Sequence, residues 1–193
     1  MRPMLPNPAG RLLELVRAVP GLSAAEAAAF VARWQPVPPL RRGDFLIRPG
    51  QVEQRLYFVG QGVLRICYPT EAEDICVGFG YEATLLCSFP SFISQQPSEY
   101  AIQALRRSEL LSIGRAEFMG SLDQIPALAH FWRAELERNL LGRIEREIDL
   151  LLPEPARRYA RLLARSPQLF QRVPHKYIAS YLRMTPETLS RLR

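Results

Sequence analysis

The sequence predicts an α+β protein in which a compact antiparallel barrel or sandwich lies between N-terminal helices and an all-α C-terminal third. Three observations carry this expectation. The first 35 residues have helical spacing and helix caps. Residues 36–111 break into short β-rich runs punctuated by Gly and Pro, and beyond Ile113 apolar residues recur every three or four positions. An apolar content of 48% over 193 residues is ample for a packed core.

In chain order, RLLELVRAV is amphipathic, and SAAEAAAFVARW opens with Ser23 and Glu26 at capping-box spacing. DFLIRPG, RLYFVGQGVLRICYP, EDICVGFG and YAIQALRRSELLSIG are rich in Val, Ile, Phe, Tyr and Leu and are bounded by turn residues, which marks them as strand-bearing. Ile125, Leu128, Trp132, Leu136, Leu140, Ile144, Ile148 and Leu151 then define one long helix of about 25 residues. Its stripe is expected to face the β domain, a second copy of itself, or both, and Pro153 ends it. PEPARRYARLLARSP starts another helix, and PHKYIASYLRMTPETLSRLR holds two short helices on either side of Arg183-Met184-Thr185.

Charge is unevenly placed. The net charge is +6, yet residues 153–193 hold nine basic side chains against Glu154 and Glu187, a balance of +7 that leaves −1 for the rest. A basic end on a nearly neutral body is the arrangement of a protein that docks a polyanion there. Cys67, Cys76 and Cys87 form no Cys-x-x-Cys pair and are too few for a four-thiolate cluster, so they read as buried thiols. His130 and His175 lie far apart, and no metal or other cofactor is expected. No catalytic histidine cluster, nucleophile elbow or phosphate loop is present, so no catalytic residue is assigned and no enzyme is expected. No segment reaches the apolar length needed to cross a bilayer, and Glu14 and Arg17 interrupt any signal-peptide core, so the expected location is cytoplasmic with no membrane partner.

The stretch TPETLSR, residues 185–191, carries the sharpest functional signal. Thr185 is a good N-cap and Pro186 suits the first helical position. Glu187, Ser190 and Arg191 then share one face, opposite Leu189 and Leu192. Two short helices joined by a tight turn, the second capped at its start and basic at its end, describe a helix-turn-helix, with Ile178, Ala179, Leu182, Leu189 and Leu192 between them. Spacing alone leaves an ordinary pair of packed helices open.

From Pro36 onward the chain resembles the Crp/Fnr superfamily of bacterial transcription regulators. RRGDFLIRPGQVEQRLYFVGQGVLRI, residues 41–66, resembles that family's cyclic-nucleotide-binding-type β roll, with Gly43, Gly50 and Gly62 at its turns, and PHKYIASYLRMTPETLSRLR resembles its helix-turn-helix. The resemblance implies a β-roll sensor domain of the double-stranded β-helix type with the flanking N-terminal helices over residues 1–122. It implies a long dimerisation helix over 123–152 and a helix-turn-helix DNA-binding domain over 153–193. It further implies a homodimer on a palindromic double-stranded DNA site with TTGA-type half-sites, and is compatible with contact to RNA polymerase. The family's Glu-x-x-Ser-Arg base-reading pattern falls on Glu187, Ser190 and Arg191, and bidentate Arg to guanine with Glu accepting from cytosine is sound chemistry. His175, Lys176, Arg183, Thr185, Thr188 and Arg193 are better placed for phosphates.

Three departures from the family stand out. Its cyclic-AMP binders carry a Gly-Glu pair and later an Arg followed by Ser or Thr; here Glu82 could stand for the first, but Pro97-Ser98-Glu99-Tyr100 replaces the second, and no arginine lies between Arg65 and Arg106. A small-molecule effector other than cyclic AMP is therefore expected, of unassigned identity. The turn glycine of the helix-turn-helix is replaced by Arg183, where a left-handed backbone costs about 1 kcal/mol. With Arg193 as the last residue, no hairpin wing is expected after the second helix. The alternative to the DNA reading is a ligand-binding β roll whose C-terminal helices make protein contacts.

Overall fold

The computed structural model describes residues 7–192. Two short helices open the chain. α1 (Pro8–Arg17) starts where the Asn7 side chain accepts from the Gly10 N–H at 2.7 Å, and α2 (Ala24–Ala32) has the reciprocal Ser23–Glu26 capping box. Eight strands follow: β1 (Gln35–Pro36), β2 (Phe45–Ile47), β3 (Arg55–Gln61), β4 (Val63–Pro69), β5 (Asp74–Tyr81), β6 (Thr84–Leu86), β7 (Ala101–Ala104) and β8 (Glu109–Gly114). They form two four-stranded antiparallel sheets, ordered β1-β8-β3-β6 and β2-β7-β4-β5. Ile47, Val59, Leu64, Leu86, Ile102 and Leu110 fill the space between the sheets, which makes the expected roll.

Turn chemistry sets the roll's corners. Gly43, Gly50 and Gly62 all have positive φ. Gly62 is the tightest: φ is +114°, and a Cβ there would lie 2.1 Å from Ser108 Oγ and 2.6 Å from its Cα. Only glycine lets β3 pass into β4 this close to Ser108.

Two helices were not legible in the sequence. α3 (Phe89–Ser94) lies between β6 and β7, and α4 (Arg115–Gln124) follows β8. α4 lacks a clear apolar stripe because one of its inward residues is polar: buried Ser121 donates to the Glu117 carbonyl at 2.7 Å and accepts from Arg33 at 2.8 Å. Two-residue β1 and three-residue β6 fall below the length at which alternation shows.

α5 (Pro126–Leu151) begins with Pro126, ends one residue before Leu152-Pro153, and divides the predicted stripe in two. Leu128 and Trp132 are buried with Leu12, Phe30, Leu56 and Phe118, and Leu136 packs against this cluster; Trp132 meets Phe118 edge-on at 4.9 Å and stacks on Phe89 at 6.0 Å. Leu140, Leu141, Ile144, Ile148 and Leu151 are exposed. α6 (Pro155–Arg165), α7 (Pro167–Arg172), α8 (His175–Tyr181) and α9 (Pro186–Arg191) complete the chain. Their core of Leu162, Leu169, Val173, Ile178, Ala179, Leu182 and Leu189 also takes in Val63 and Leu105 of the roll.

All three cysteines are free and buried. Burial pushes the Cys76 thiol up to about 12, so it is no ready nucleophile. Among the described residues no helix is long and apolar enough to cross a membrane. Gly62→Ala combines a strained φ with a clash against backbone, and is expected to lower stability by at least about 2 kcal/mol in chemical denaturation, whereas Gly120→Ala, inside α4 where a Cβ meets nothing, is expected to raise it by up to about 1 kcal/mol.

Candidate nucleic-acid interface

Caps and a left-handed turn make the α8–α9 unit. At the end of α8, Met184 N–H reaches back to the Ala179 carbonyl at 3.0 Å and Arg183 N–H to that of Ser180 at 3.1 Å. This reversal requires φ of +52° at Arg183, the position where the family resemblance places glycine. Thr185 then caps α9, its hydroxyl accepting from the Thr188 N–H at 3.2 Å. Leu189 has no solvent exposure and anchors α9 on Ile178, Ala179 and Leu182. With that side turned inward, Glu187, Ser190 and Arg191 stand exposed together on the other. The Glu187 carboxyl is held below its usual range by its own helix-terminal backbone N–H, then by the Thr185 hydroxyl and by Arg191, so it is an acceptor at neutral pH.

The residues expected at phosphates are less uniform. Lys176 is exposed beside the Tyr177 ring, His175 and Thr188 are half-buried, and Thr185 is exposed with its hydroxyl occupied as the cap. Arg193 lies outside the described residues. Arg183 is paired with Glu73 of the β4–β5 turn at 2.8 Å. That pair belongs to a contact the sequence did not disclose: α8 lies on β5. Ser180 Oγ accepts from the Cys76 N–H at 3.0 Å, and Tyr181 packs on Phe79 at 5.4 Å. From α7, Arg172 reaches Glu82 at 3.2 Å.

The basic tail is thereby partly neutralised. Arg161 and Arg165 bind Asp149 of α5, and Arg158 donates to the carbonyls of Leu182 and Arg183 at 3.0 and 3.2 Å. Of the nine cations counted in the sequence, Lys176 and Arg191 have no acidic partner within salt-bridge distance among the described residues and are exposed.

In the roll, the polar groups near the place expected for a cyclic phosphate bond to one another. Ser88 and Ser98 share a hydrogen bond at 2.7 Å, and buried Glu53 accepts from the Ser88 N–H at 3.3 Å and the Arg55 N–H at 3.2 Å. Burial raises the Glu53 carboxyl above its usual value. Glu82, the candidate for the ribose contact, is instead held by the Gly62 N–H at 3.1 Å and by Arg106 and Arg172.

Comparison with known proteins agrees with this architecture. Residues 38–124 match the cyclic nucleotide-binding domain family. The catabolite activator protein of Thermus thermophilus is 23% identical, with a TM-score of 0.58 over 90% of this chain and 83% of that one. A mutant of CooA from Carboxydothermus hydrogenoformans is 17% identical, with a TM-score of 0.70 over 94% and 81%. CLP of Xanthomonas campestris, described as a c-di-GMP-responsive global regulator, is 19% identical, with a TM-score of 0.66 over 88% and 89%. These likenesses are of fold: the chain shares the architecture of these three proteins over most of its length. A search of curated protein sequences returns no match.

The strain at Arg183 is separable from its ion pair. With Glu73→Ala in place, the further change Arg183→Gly is expected to raise stability by about 1 kcal/mol, because only the left-handed strain remains to be relieved. In the wild-type background the gain is expected to shrink, because an exposed pair worth up to about 1 kcal/mol is lost at the same time. Denaturation of the four proteins forms the double-mutant cycle.

Proposed function

We propose that the protein is a homodimeric, sequence-specific DNA-binding transcription regulator of the Crp/Fnr type, cytoplasmic and without catalytic activity, controlled by a small effector other than cyclic AMP. In this reading residues 1–122 are the sensor, 123–152 the dimerisation helix and 153–193 the DNA-binding domain. The observation that carries it is the exposed face of α9, where Glu187, Ser190 and Arg191 project together from a helix anchored on its far side by Leu189. Arg191 is assigned to guanine O6 and N7, Glu187 to the cytosine on the opposite strand and Ser190 to a neighbouring base. His175, Lys176, Arg183, Thr185, Thr188 and Arg193 are assigned to phosphates. For Arg183 this requires exchange of Glu73 for DNA.

The dimer reading rests on the free half of α5. Leu141, Ile144, Ile148 and Leu151 repeat at spacings of three, four and three, the period of a two-helix seam, and Leu141 and Leu151 are 63% and 77% exposed. Pairing there sets two α9 helices about 34 Å apart, one DNA turn. The lack of any Arg or Lys in residues 66–105, together with the hydrogen bond between Ser88 and Ser98, supports independence from cyclic AMP. The docking of α8 on β5 favours a second reading, in which the C-terminal helices serve protein contacts alone; steep loss of DNA affinity with salt counts against it.

Ile144→Asp places a charge in the seam and is expected to give a monomer at micromolar concentration in sedimentation, with the circular dichroism of the fold retained. Selection from random DNA is expected to enrich a palindrome with wild type. Arg191→Ala should cost about 1 to 3 kcal/mol per half-site on that sequence and little on others. Lys176→Ala should weaken every sequence alike and lower the salt slope by about one charge. Failure of the wild type to enrich any palindrome removes the base-reading assignment.

A further inference from the structure

Two of the three buried cysteines face each other across a strand pair. In the register of β4 and β5, Cys67 stands directly opposite Cys76. β5 is the last strand of its sheet, and both main-chain groups of Cys76 turn to its outer edge. The N–H donates to Ser180 Oγ of α8 at 3.0 Å, and the carbonyl accepts from Arg146 of α5 at 3.3 Å. Neither group is spent on β4, which makes Cys67 and Cys76 a non-hydrogen-bonded pair, the closer of the two kinds, with Cα atoms about 4.5 Å apart. A disulfide spans Cα separations of about 4.4–6.8 Å.

Opposite residues of an antiparallel pair project from one face of the sheet. Alternation along β4 fixes which face. Leu64 and Ile66 point into the roll, whereas Val63 joins the C-terminal core and the Arg65 guanidinium lies 4.9 Å from the Tyr177 ring of α8. Cys67 follows Val63 and Arg65 onto this outer face, and Cys76 lies on it too. Each thiol donates to a carbonyl, Cys67 to Ala101 at 3.7 Å and Cys76 to Gly78 at 3.6 Å, and neither has solvent exposure. Cys87 belongs to a different cluster, with Leu12, Phe58 and Trp132.

We propose that Cys67 and Cys76 form a reversible disulfide site, oxidised by a peroxide when α8 lifts from β5. Burial raises the Cys67 thiol, but Arg65 opposes that rise, so Cys67 reacts first. Its thiolate attacks one oxygen of hydrogen peroxide and becomes a sulfenic acid, and the hydroxide released takes up the Cys67 proton as water. The Cys76 sulfur then attacks the Cys67 sulfur. The S–O bond breaks, and the departing hydroxide leaves with the Cys76 proton as a second water. Two electrons have passed from the sulfurs to the peroxide. Cys76, a poor nucleophile in free solution, acts here on a neighbour already held beside it. A bond at the short end of the allowed span is strained, which leaves it open to reduction by thiols. Once formed, it closes the β4–β5 hairpin that carries Glu73, the partner of Arg183.

The test exposes the full, pre-reduced chain to hydrogen peroxide and then alkylates free thiols in denaturant. It contains no DNA, so its outcome and that of the DNA assignment are independent. Cleavage after glutamate separates the cysteines for mass spectrometry, since Glu71 and Glu73 lie between Cys67 and Cys76, and Glu82 between Cys76 and Cys87. The expected product joins the peptides of Cys67 and Cys76, leaves Cys87 alkylated, keeps the circular dichroism of the fold and is undone by dithiothreitol. Cys87→Ala should form the same bond, and Cys76→Ala should stop at a Cys67 sulfenic acid that dimedone captures. Tyr181→Ala, which removes the contact with Phe79, should speed the reaction about tenfold. If that variant fails to fold, Ser180→Ala, which removes the acceptor of the Cys76 N–H, takes its place. Full alkylation of Cys67 and Cys76 after oxidation of the folded chain, bonds to Cys87 in place of theirs, or an unchanged rate in the α8 variant overturns the proposal.

Discussion

A single carboxylate with no solvent exposure ties the C-terminal helices to the long helix. Asp149, near the end of α5, accepts from Arg161 Nε at 2.7 Å and from Arg165, while Arg161 also reaches Glu145 at 2.6 Å. A buried carboxylate is tolerated only when its charge and lone pairs are matched, so α6 is held at the angle that delivers both arginines. That angle places α6 to α9 against the end of α5, and with them the exposed face of α9. The proposed spacing of two recognition helices depends on this junction being rigid.

The same junction explains why charge counting alone misleads here. The basic excess after Pro153 is real, but Arg158 satisfies carbonyls at the end of α8, Arg161 and Arg165 neutralise Asp149, Arg172 meets Glu82 and Arg183 meets Glu73. Arg157 pairs with Glu154, and among the described residues of this stretch the exposed cations left without an acidic partner are Lys176 of α8 and Arg191 of α9. A smaller free charge in the right place suits a protein that positions a short helix more than one that wraps a polyanion.

α8 is both a scaffold for α9 and a face packed on β5. Leu182 and Ala179 hold α9, whereas Ser180 and Tyr181 engage the roll. The strained turn at Arg183 sits between these roles, and its side chain links the α8–α9 turn to the acidic β4–β5 turn. In the proposed regulator, a change at the roll reaches α9 along this short route: β5 carries Phe79 and Cys76, which touch α8 directly.

Local chemistry along the chain was enough for the class of fold, the capping box at Ser23 and Glu26, the extent of α5 up to Pro153 and the cap at Thr185, while the glycine corners of the roll and the left-handed residue at Arg183 were implied by the family resemblance. Each depends on backbone geometry or on a periodicity spanning a few residues, so each is written in adjacent positions. Short β1 and β6, and α4 with its buried Ser121, left no such periodicity. The α5 stripe was visible as one line, but which half faces the roll and which is free depends on Phe89 and Phe118, tens of residues away. The partners of Arg158, Arg172 and Arg183 and the meeting of Arg146 with β5 were likewise settled by packing. Long flexible side chains carry no local signature of the acid or carbonyl they will find, and only the folded chain brings those groups within hydrogen-bonding distance.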